Sequence, residues 1–309
     1  MTRPLRSRSS PWIAILLVLA AGWAAHRPAR AERSLYTRMA HADLVVKIRV
    51  VEGTLRLAEC QVLRVLRGQY TGRTLFVAFR SDNMMRERWR DRIVFPEGSE
   101  SILLLTPVVD ADHRVKSADR FRLVEGFTGK IDLPREGARA QVQAVARLAQ
   151  ILDMSDIHEQ WAAHRKLLRE INPYLVEAGF EQVLKFRLGR PEMVPLLLRQ
   201  MGSRHDRFRV AALQVVAQIF RRARRRGSLL GNEDQIVARI LTVAIEDPVA
   251  AVRVEAIRAL HAYGGHDVMA ALREVARSDP SQDVRYQATI SVYRLSHADP
   301  PPQESAVDH

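Results

Sequence analysis

Cysteine is almost missing from this chain: Cys60 is the single one among 309 residues. One thiol excludes an internal disulfide framework and a cysteine-based zinc cluster within the chain. Aromatic residues are also few, at 6%, although apolar residues make up 47%. That much apolar material over this length can bury a sizeable core, so the chain is not a disordered one. Length fits two domains or one elongated array. Mean hydropathy is −0.17, which excludes a protein of many membrane spans. Signatures of chemistry are missing as well. There is no Gly-x-Ser-x-Gly elbow and no Walker loop. His158-Glu159 opens like a zinc-protease helix, but the next histidine is His164. A spacing of six does not put two ligands on one helix face, where four is needed. No catalytic, metal-ligating or cofactor-binding set is therefore expected, and His158 and His164 read as surface histidines. Cys60 falls in phase with Val62 on a strand and reads as a small buried hydrophobe.

Acidic residues are absent before Glu32. Arg3, Arg6 and Arg8 precede an apolar run of 14 residues, Trp12 to Ala25. A bilayer span needs about 20 residues, whereas this length suits a signal-peptide core. Ala29-Arg30-Ala31 supplies the small residues of a cleavage site, so cleavage is expected after Ala31. An uncleaved N-terminal anchor is the other reading. No cysteine follows the run, which argues against lipoprotein anchoring. The net charge is +13, but residues 1–31 hold five arginines and no acid, so the remainder carries +8. Basicity is therefore not read as nucleic-acid binding, and no nucleic-acid partner is expected. The expected location is periplasmic or secreted.

Between residues 35 and 134 the pattern is that of a small β domain. In Leu44 to Val51, Val46, Ile48 and Val50 share one face, and Lys47 and Arg49 the other. Leu55 to Leu66 forms a second run that ends at Arg67-Gly68. Leu75–Phe79, Phe121–Val124 and Lys130–Leu133 are short strands, and Ile102–Leu105 is continuous enough to be buried on both faces. Six short strands suggest a small barrel or sandwich. The polar stretch Arg80 to Gly98 is long for a hairpin loop. This segment loosely resembles domains of exported bacterial proteins that open with Ala-Asp and β-branched residues, here Ala42-Asp43-Leu44-Val45-Val46. Those domains have a strand ending Val-Leu-basic-Gly, here Val65-Leu66-Arg67-Gly68. The resemblance implies an OB-type barrel related to netrin and metalloprotease-inhibitor modules. No cysteine lies near residue 32, so inhibition through such a cysteine is not implied.

From Arg135 strand signals vanish and helical spacing takes over. Helices are expected at 137–153, 155–170, 173–188, 191–201, 206–226, 233–245, 249–263, 266–277 and 282–296, with a disordered tail over 297–309. The strongest signal is a repeat. Val243-Ala244…Asp247-Pro248…Val252-Arg253 returns 32 residues later as Val275-Ala276…Asp279-Pro280…Val284-Arg285. Ala256 and Ala288 continue the echo, and Asp206, Phe208-Arg209, Ala212 and Val216 form a more distant copy. Asp-Pro ends one helix and starts the next, because Pro is tolerated in a first turn and Asp caps free N–H groups. Each hairpin buries one side, so copies must stack.

The Asp-Pro…Val-Arg-x-x-Ala-x-x-x-Leu phrase resembles a HEAT repeat. The clear copies cover 190–296, within a helical region of 137–296. The fold class expected is thus α+β and multidomain: a small N-terminal β-barrel or sandwich, then an all-α HEAT-like solenoid. The resemblance implies binding of other macromolecules. It gives Arg253 and Arg285 a structural pairing with Asp247 and Asp279. Some HEAT proteins are di-iron hydroxylases with His-Glu pairs in several repeats, but His158-Glu159 is the single pair here.

Two arginine runs remain as candidate partner-binding residues. Arg86, Arg88 and Arg90 alternate beside Trp89 in the long β-domain loop. Arg221, Arg222, Arg224, Arg225 and Arg226 crowd one helix end, where Arg221 and Arg225 fall opposite the apolar stripe, beside Gln214 and Gln218. Cations suit a helix C-terminus, but five in six residues exceed what that needs. An acidic protein or an anionic envelope surface would suit them. The reading is an exported, non-enzymatic interaction scaffold. Its rival is an enzyme or inhibitor with a site in the β-domain loops.

Overall fold

The computed structural model describes residues 34–54, 57–78, 94–109, 118–124, 129–134, 136–227, 231 and 233–297. The expected signal segment 1–31, the arginines Arg86, Arg88 and Arg90 and the tail beyond His297 lie outside the described residues.

A six-residue helix, α1 (Leu35–Ala40), leads into six strands: β1 (Leu44–Gly53), β2 (Leu57–Arg67), β3 (Thr74–Ala78), β4 (Glu100–Pro107), β5 (Arg120–Leu123) and β6 (Lys130–Asp132). The order is β1-β2-β3-β5-β4, and β4 pairs back onto β1, so five strands close into a barrel. All neighbours are antiparallel except β3 and β5, which run parallel. β6 adds to β4. Of the expected barrel or sandwich, the closed barrel is the one found. Closure removes the exposed edges that an open sheet would leave.

The barrel interior is filled by one face of each strand. Val46, Ile48 and Val50 meet Leu75, Val77, Leu103 and Leu105 there, with Cys60 fully buried among them. Burial pushes the Cys60 thiol up to about 12, so it is a packing group and no nucleophile. Each such aliphatic side chain contributes about 1.5–3 kcal/mol when fully withdrawn from water. β4 is buried on both faces: Leu103 and Leu105 look inward, while Ile102 and Leu104 belong to a second cluster outside the barrel.

Helices cover that outer face. α2 (Ala138–Leu152) is followed by α3 (Ile157–Leu167), α4 (Pro173–Lys185), a short 3₁₀ turn into α5 (Val194–Gln200), α6 (Asp206–Arg225), α7 (Glu233–Glu246), α8 (Ala250–Tyr263), α9 (His266–Ser278) and α10 (Gln282–Ser296). Ala144, Val145, Leu148, Ala149 and Ile151 of α2 share a buried cluster with Val45, Ile102, Leu104 and Val124 of the barrel and with Leu35 and Met39 of α1. Strand gives way to helix between Asp132 and Ala138, and the two parts have a core in common.

Arg67 ties the same junction by polar contacts. Its Nη1 donates to the carbonyls of Met39 and Ala42, both at 2.8 Å, and its Nε to Asp153 Oδ1 at 3.1 Å. Gly68 follows in a left-handed conformation, and a Cβ there would lie 2.3 Å from Asp43 O. The Arg67-Gly68 phrase therefore ends β2 where only glycine fits.

The later helices form hairpins α3/α4, α5/α6, α7/α8 and α9/α10, and the second helices α4, α6, α8 and α10 stack in order. Their core runs through Phe208, Ala212, Val216, Ile219 and Phe220 of α6 to Ala256 and Leu260 of α8 and Val284 and Ala288 of α10.

The shared cluster predicts coupled unfolding. Leu148→Ala, at a fully buried site, should cost about 2–5 kcal/mol. Native-state hydrogen exchange should then quicken in β4 as well as in α2. Protection in β4 that stays unchanged would mean that the barrel holds itself together.

Candidate functional site

The repeat phrase builds a ladder. Arg209 of α6 grips Asp247 with two bonds, Nε to Oδ2 at 2.7 Å and Nη2 to Oδ1 at 2.9 Å. Its Nη1 donates to Ser203 O at 2.9 Å. Arg253 of α8 does the same one hairpin later: Nε and Nη2 each reach Asp279 at 2.9 Å, and Nη1 donates to Asp247 O at 2.8 Å. Each arginine thus holds the carbonyl six residues before it, in its own turn, and the carboxylate of the next turn. The same carboxylates also accept from the backbone two residues on, just ahead of the following helix, Asp247 from Val249 N at 2.9 Å and Asp279 from Ser281 N at 2.8 Å. The sequence placed Arg253 and Arg285 with Asp247 and Asp279. The geometry specifies that Arg253 takes Asp279, that Arg209 takes Asp247, and that the pairing runs between repeats.

These pairs are buried: the side chains of Arg253 and Asp279 keep 8% and 5% of their exposure. The Asp279 carboxyl lies below its ordinary value. Burial alone would raise it, but the bonds from Arg253 and from the Ser281 N–H outweigh that. Arg253 is held above its ordinary value chiefly by its bonds to Asp279.

The histidines sort differently from expectation. His158 lies against Trp161, its ring centroid 5.3 Å away. His164 is buried, not on the surface: its Nε2 lies 3.1 Å from Tyr36 Oη, edge-on to that ring. Burial lowers it to about 4 and raises Tyr36 to about 12. Tyr36 comes from α1, a helix too short for periodicity to reveal, so this contact joins α1 to α3. Among the described residues no group of three or more His, Cys, Asp or Glu side chains could hold a metal ion. In the barrel, buried Ser101 donates to Asp132 at 3.0 Å, and Asp132 also pairs with Lys130, which ties β4 to β6.

The arginine run at the end of α6 divides three ways. Arg221, Arg222 and Arg225 line a cavity of about 380 Å³ together with Gln218 and with Arg187, just after α4. Arg222 is fixed: Nη1 donates to Gly189 O at 3.0 Å and Nη2 to Arg187 O at 2.8 Å. Gln218 donates to Leu184 O at 3.2 Å, while its buried Oε1 has no partner among the described residues. Arg187 has φ 52, the left-handed region, which costs a residue with a Cβ about 1–2 kcal/mol. Four arginines thus line one cavity, and among the described residues its lining includes no carboxylate.

Arg224 turns elsewhere. A Cβ on Gly264 would lie 2.7 Å from Arg224 Nη1, and Gly264 has φ 72 as the cap of α8. Glycine there serves both the backbone and the close approach of a cation to a helix C-terminus. Arg226 is the cap residue of α6 itself. Sequence reasoning found the cluster but missed Arg187, which lies one hairpin upstream and carries no helical pattern of its own.

Residues 223–292, from the end of α6 to the last turns of α10, match the family of HEAT repeats. No curated protein matches the chain. The fold is thus a closed β-barrel followed by a HEAT-like stack of helical hairpins. HEAT repeats typically act as protein-interaction scaffolds, and stacked repeats present extended binding surfaces.

Two outcomes separate the structural arginines from the others. Arg253→Ala should cost about 3–5 kcal/mol, because it strands a buried carboxylate. Asp279 binds its proton less readily in the folded than in the unfolded chain. Its contribution is therefore complete above the unfolded carboxylate range and fades as pH falls through the lower folded value. In urea titrations the Arg253→Ala deficit should accordingly shrink towards acid. A deficit that stays constant down to the acid limit would contradict the pairing.

Proposed function

We propose that the chain is an exported, non-enzymatic interaction scaffold that binds an acidic protein partner through the arginine cavity between α4 and α6. The observation that carries this reading is the cavity: four arginines line it, and among the described residues its lining includes no carboxylate. Like charges held together cost energy, as does the left-handed backbone at Arg187, and strain of this kind gathers at binding sites. The similarity of residues 223–292 to HEAT repeats supports a scaffold rather than an enzyme. An oxyanion entering the cavity would gain paired N–H donors from several arginines at once, which a lysine cluster could not offer in that geometry. Arg222 is already committed to two carbonyls, so the cations open to a ligand are Arg187, Arg221 and Arg225.

Export rests on the basic start, the short apolar run and the small residues before Glu32. N-terminal sequencing of the protein from the native envelope should begin at Glu32. Recovery of the full-length chain in the inner membrane would end that part of the reading.

Binding is tested with an oligo-glutamate peptide and with vesicles of anionic lipid. The double variant Arg221→Ser/Arg225→Ser should weaken the peptide at least about ten-fold at low salt and flatten the salt dependence. Its melting temperature should stay near that of the original. Arg222→Ala should instead cost about 1–3 kcal/mol of stability by freeing two carbonyls. Peptide affinity unchanged in the double variant, or binding of the vesicles alone, would refute an acidic protein at this cavity.

A further inference from the structure

The ladder of arginine and aspartate has a last rung with one half in place. Arg285 of α10 occupies the position of Arg253, 32 residues on. Its Nη1 donates to Asp279 O at 2.7 Å, the carbonyl six residues before it, and to Pro280 O at 3.1 Å. That reproduces the first half of the geometry at Arg209 and Arg253. The second half is open: Nε and Nη2, which in both earlier arginines grip the next turn's carboxylate, have no acceptor among the described residues.

The rest of the outer face of α10 has the same character. Position for position, Tyr286 of α10 corresponds to Val254 of α8, and Tyr293 to His261. Val254 packs against the helical core, and His261 is partly buried. Tyr286 and Tyr293 stand 68% and 63% exposed. Where α8 is covered by the following hairpin, α10 carries two aromatic rings, one heptad apart, beside an unfilled guanidinium. The Tyr293 ring lies against His297, with centroids 4.3 Å apart, and the Tyr286 ring is open; tyrosine and arginine are among the residues that anchor protein contacts most often.

We propose that this end of the stack docks a helical hairpin of a partner protein, whose inter-helix turn bears an aspartate that completes the rung on Arg285. The carboxylate would accept from Nε and Nη2 as Asp247 and Asp279 do, and the tyrosines would pack under the partner's second helix. Among the described residues, the aspartates at the rung position are already occupied in a second copy of this chain. Asp247 is taken by Arg209, Asp279 by Arg253, and Glu170, at the turn before α4, by Arg147 at 2.6 Å. This surface lies at the end of the stack and is separate from the arginine cavity, so the two stand or fall independently.

The probe is a labelled peptide of residues 266–297, the chain's own last hairpin, which carries the Asp279-Pro280 turn. Its anisotropy is titrated with the full chain. Saturable binding is expected. Asp279→Asn in the peptide and Arg285→Ala in the full chain should each weaken it at least about ten-fold, the scale of a charge-assisted pair. Combined, the two losses should fall well short of additive. A lengthened chain, with residues 266–297 repeated once after His297, guards against a peptide that fails to fold. It should melt above the original, and Arg285→Ala should lower it more than it lowers the original. Peptide binding indifferent to both substitutions overturns the proposal. So does the absence of binding together with no gain in the lengthened chain. A dimer in sedimentation that Arg285→Ala dissolves would give the face to a second copy. Binding that emerges only when the chain is cut after His297 would give it to the chain's own last residues. Either result also overturns the partner hairpin.

Discussion

An arginine side chain offers five N–H donors in one rigid plane, and the helical half of this chain is organised around that plane. At each rung one edge of the guanidinium holds a carbonyl of the turn just passed, and the other holds the carboxylate of the turn to come. The spacing between hairpins is thereby fixed by hydrogen-bond lengths rather than by side-chain packing alone. The acid must be short, because the same oxygen also accepts from the N–H two residues on, just ahead of the following helix. Aspartate meets both demands; glutamate would place its carboxylate one methylene too far. Breaking such a buried pair on one side leaves a charge without compensation, which makes the rung more consequential than a surface ion pair.

The junction with the barrel reuses the device with other partners. Arg67 holds two carbonyls at the end of α1 and the carboxylate at the end of α2. Around it lies the apolar cluster in which Ile102 and Leu104 of β4 meet α2. A closed barrel needs only its interior filled to be stable, so apolar residues on an outer face signal a covering layer. Here that layer is the first helix of the helical region. The two parts are therefore a change of secondary structure within one packed body rather than beads on a linker.

How much of this the sequence disclosed follows from range. Asp-Pro marked the hairpin turns, and the 32-residue echo marked their copies, because both signals are local or strictly periodic. The helices from α6 to α10 consequently lie within a residue or so of their expected bounds. The continuous apolar run of β4 announced burial on both faces. Pairing between copies was harder: a repeated Arg and a repeated Asp are compatible with contact inside a repeat or across two, and only packing decides. α1 was missed because six residues hold less than two helical turns. His164 read as exposed because its partner, Tyr36, lies on that unrecognised helix. Arg187 was missed for a related reason, since its role depends on a left-handed turn and on Arg222 reaching back 35 residues.

Charge in the helical stack is sorted by edge. Along the turns, acids are consumed: Glu170 by Arg147, Asp247 by Arg209 and Asp279 by Arg253. The opposite edge carries the arginine run that ends α6, followed by Glu233 and Asp234 in the first turn of α7. Arg209 and Arg225 sit on one helix, 16 residues apart, which is about 24 Å at 1.5 Å per residue. That distance exceeds the screening length of about 8 Å at physiological ionic strength, so the neutral edge does not cancel the cationic one. His261 of α8 reports the field there. Burial lowers its proton affinity first, and Arg294 of α10 with Arg224 and Arg221 of α6 lower it further. Cations of α6 and α10 thus act on one histidine of α8. The ladder commits Asp247 and Asp279 to one edge of the stack, while Arg221, Arg222 and Arg225 line a cavity at the far end of α6 from Arg209.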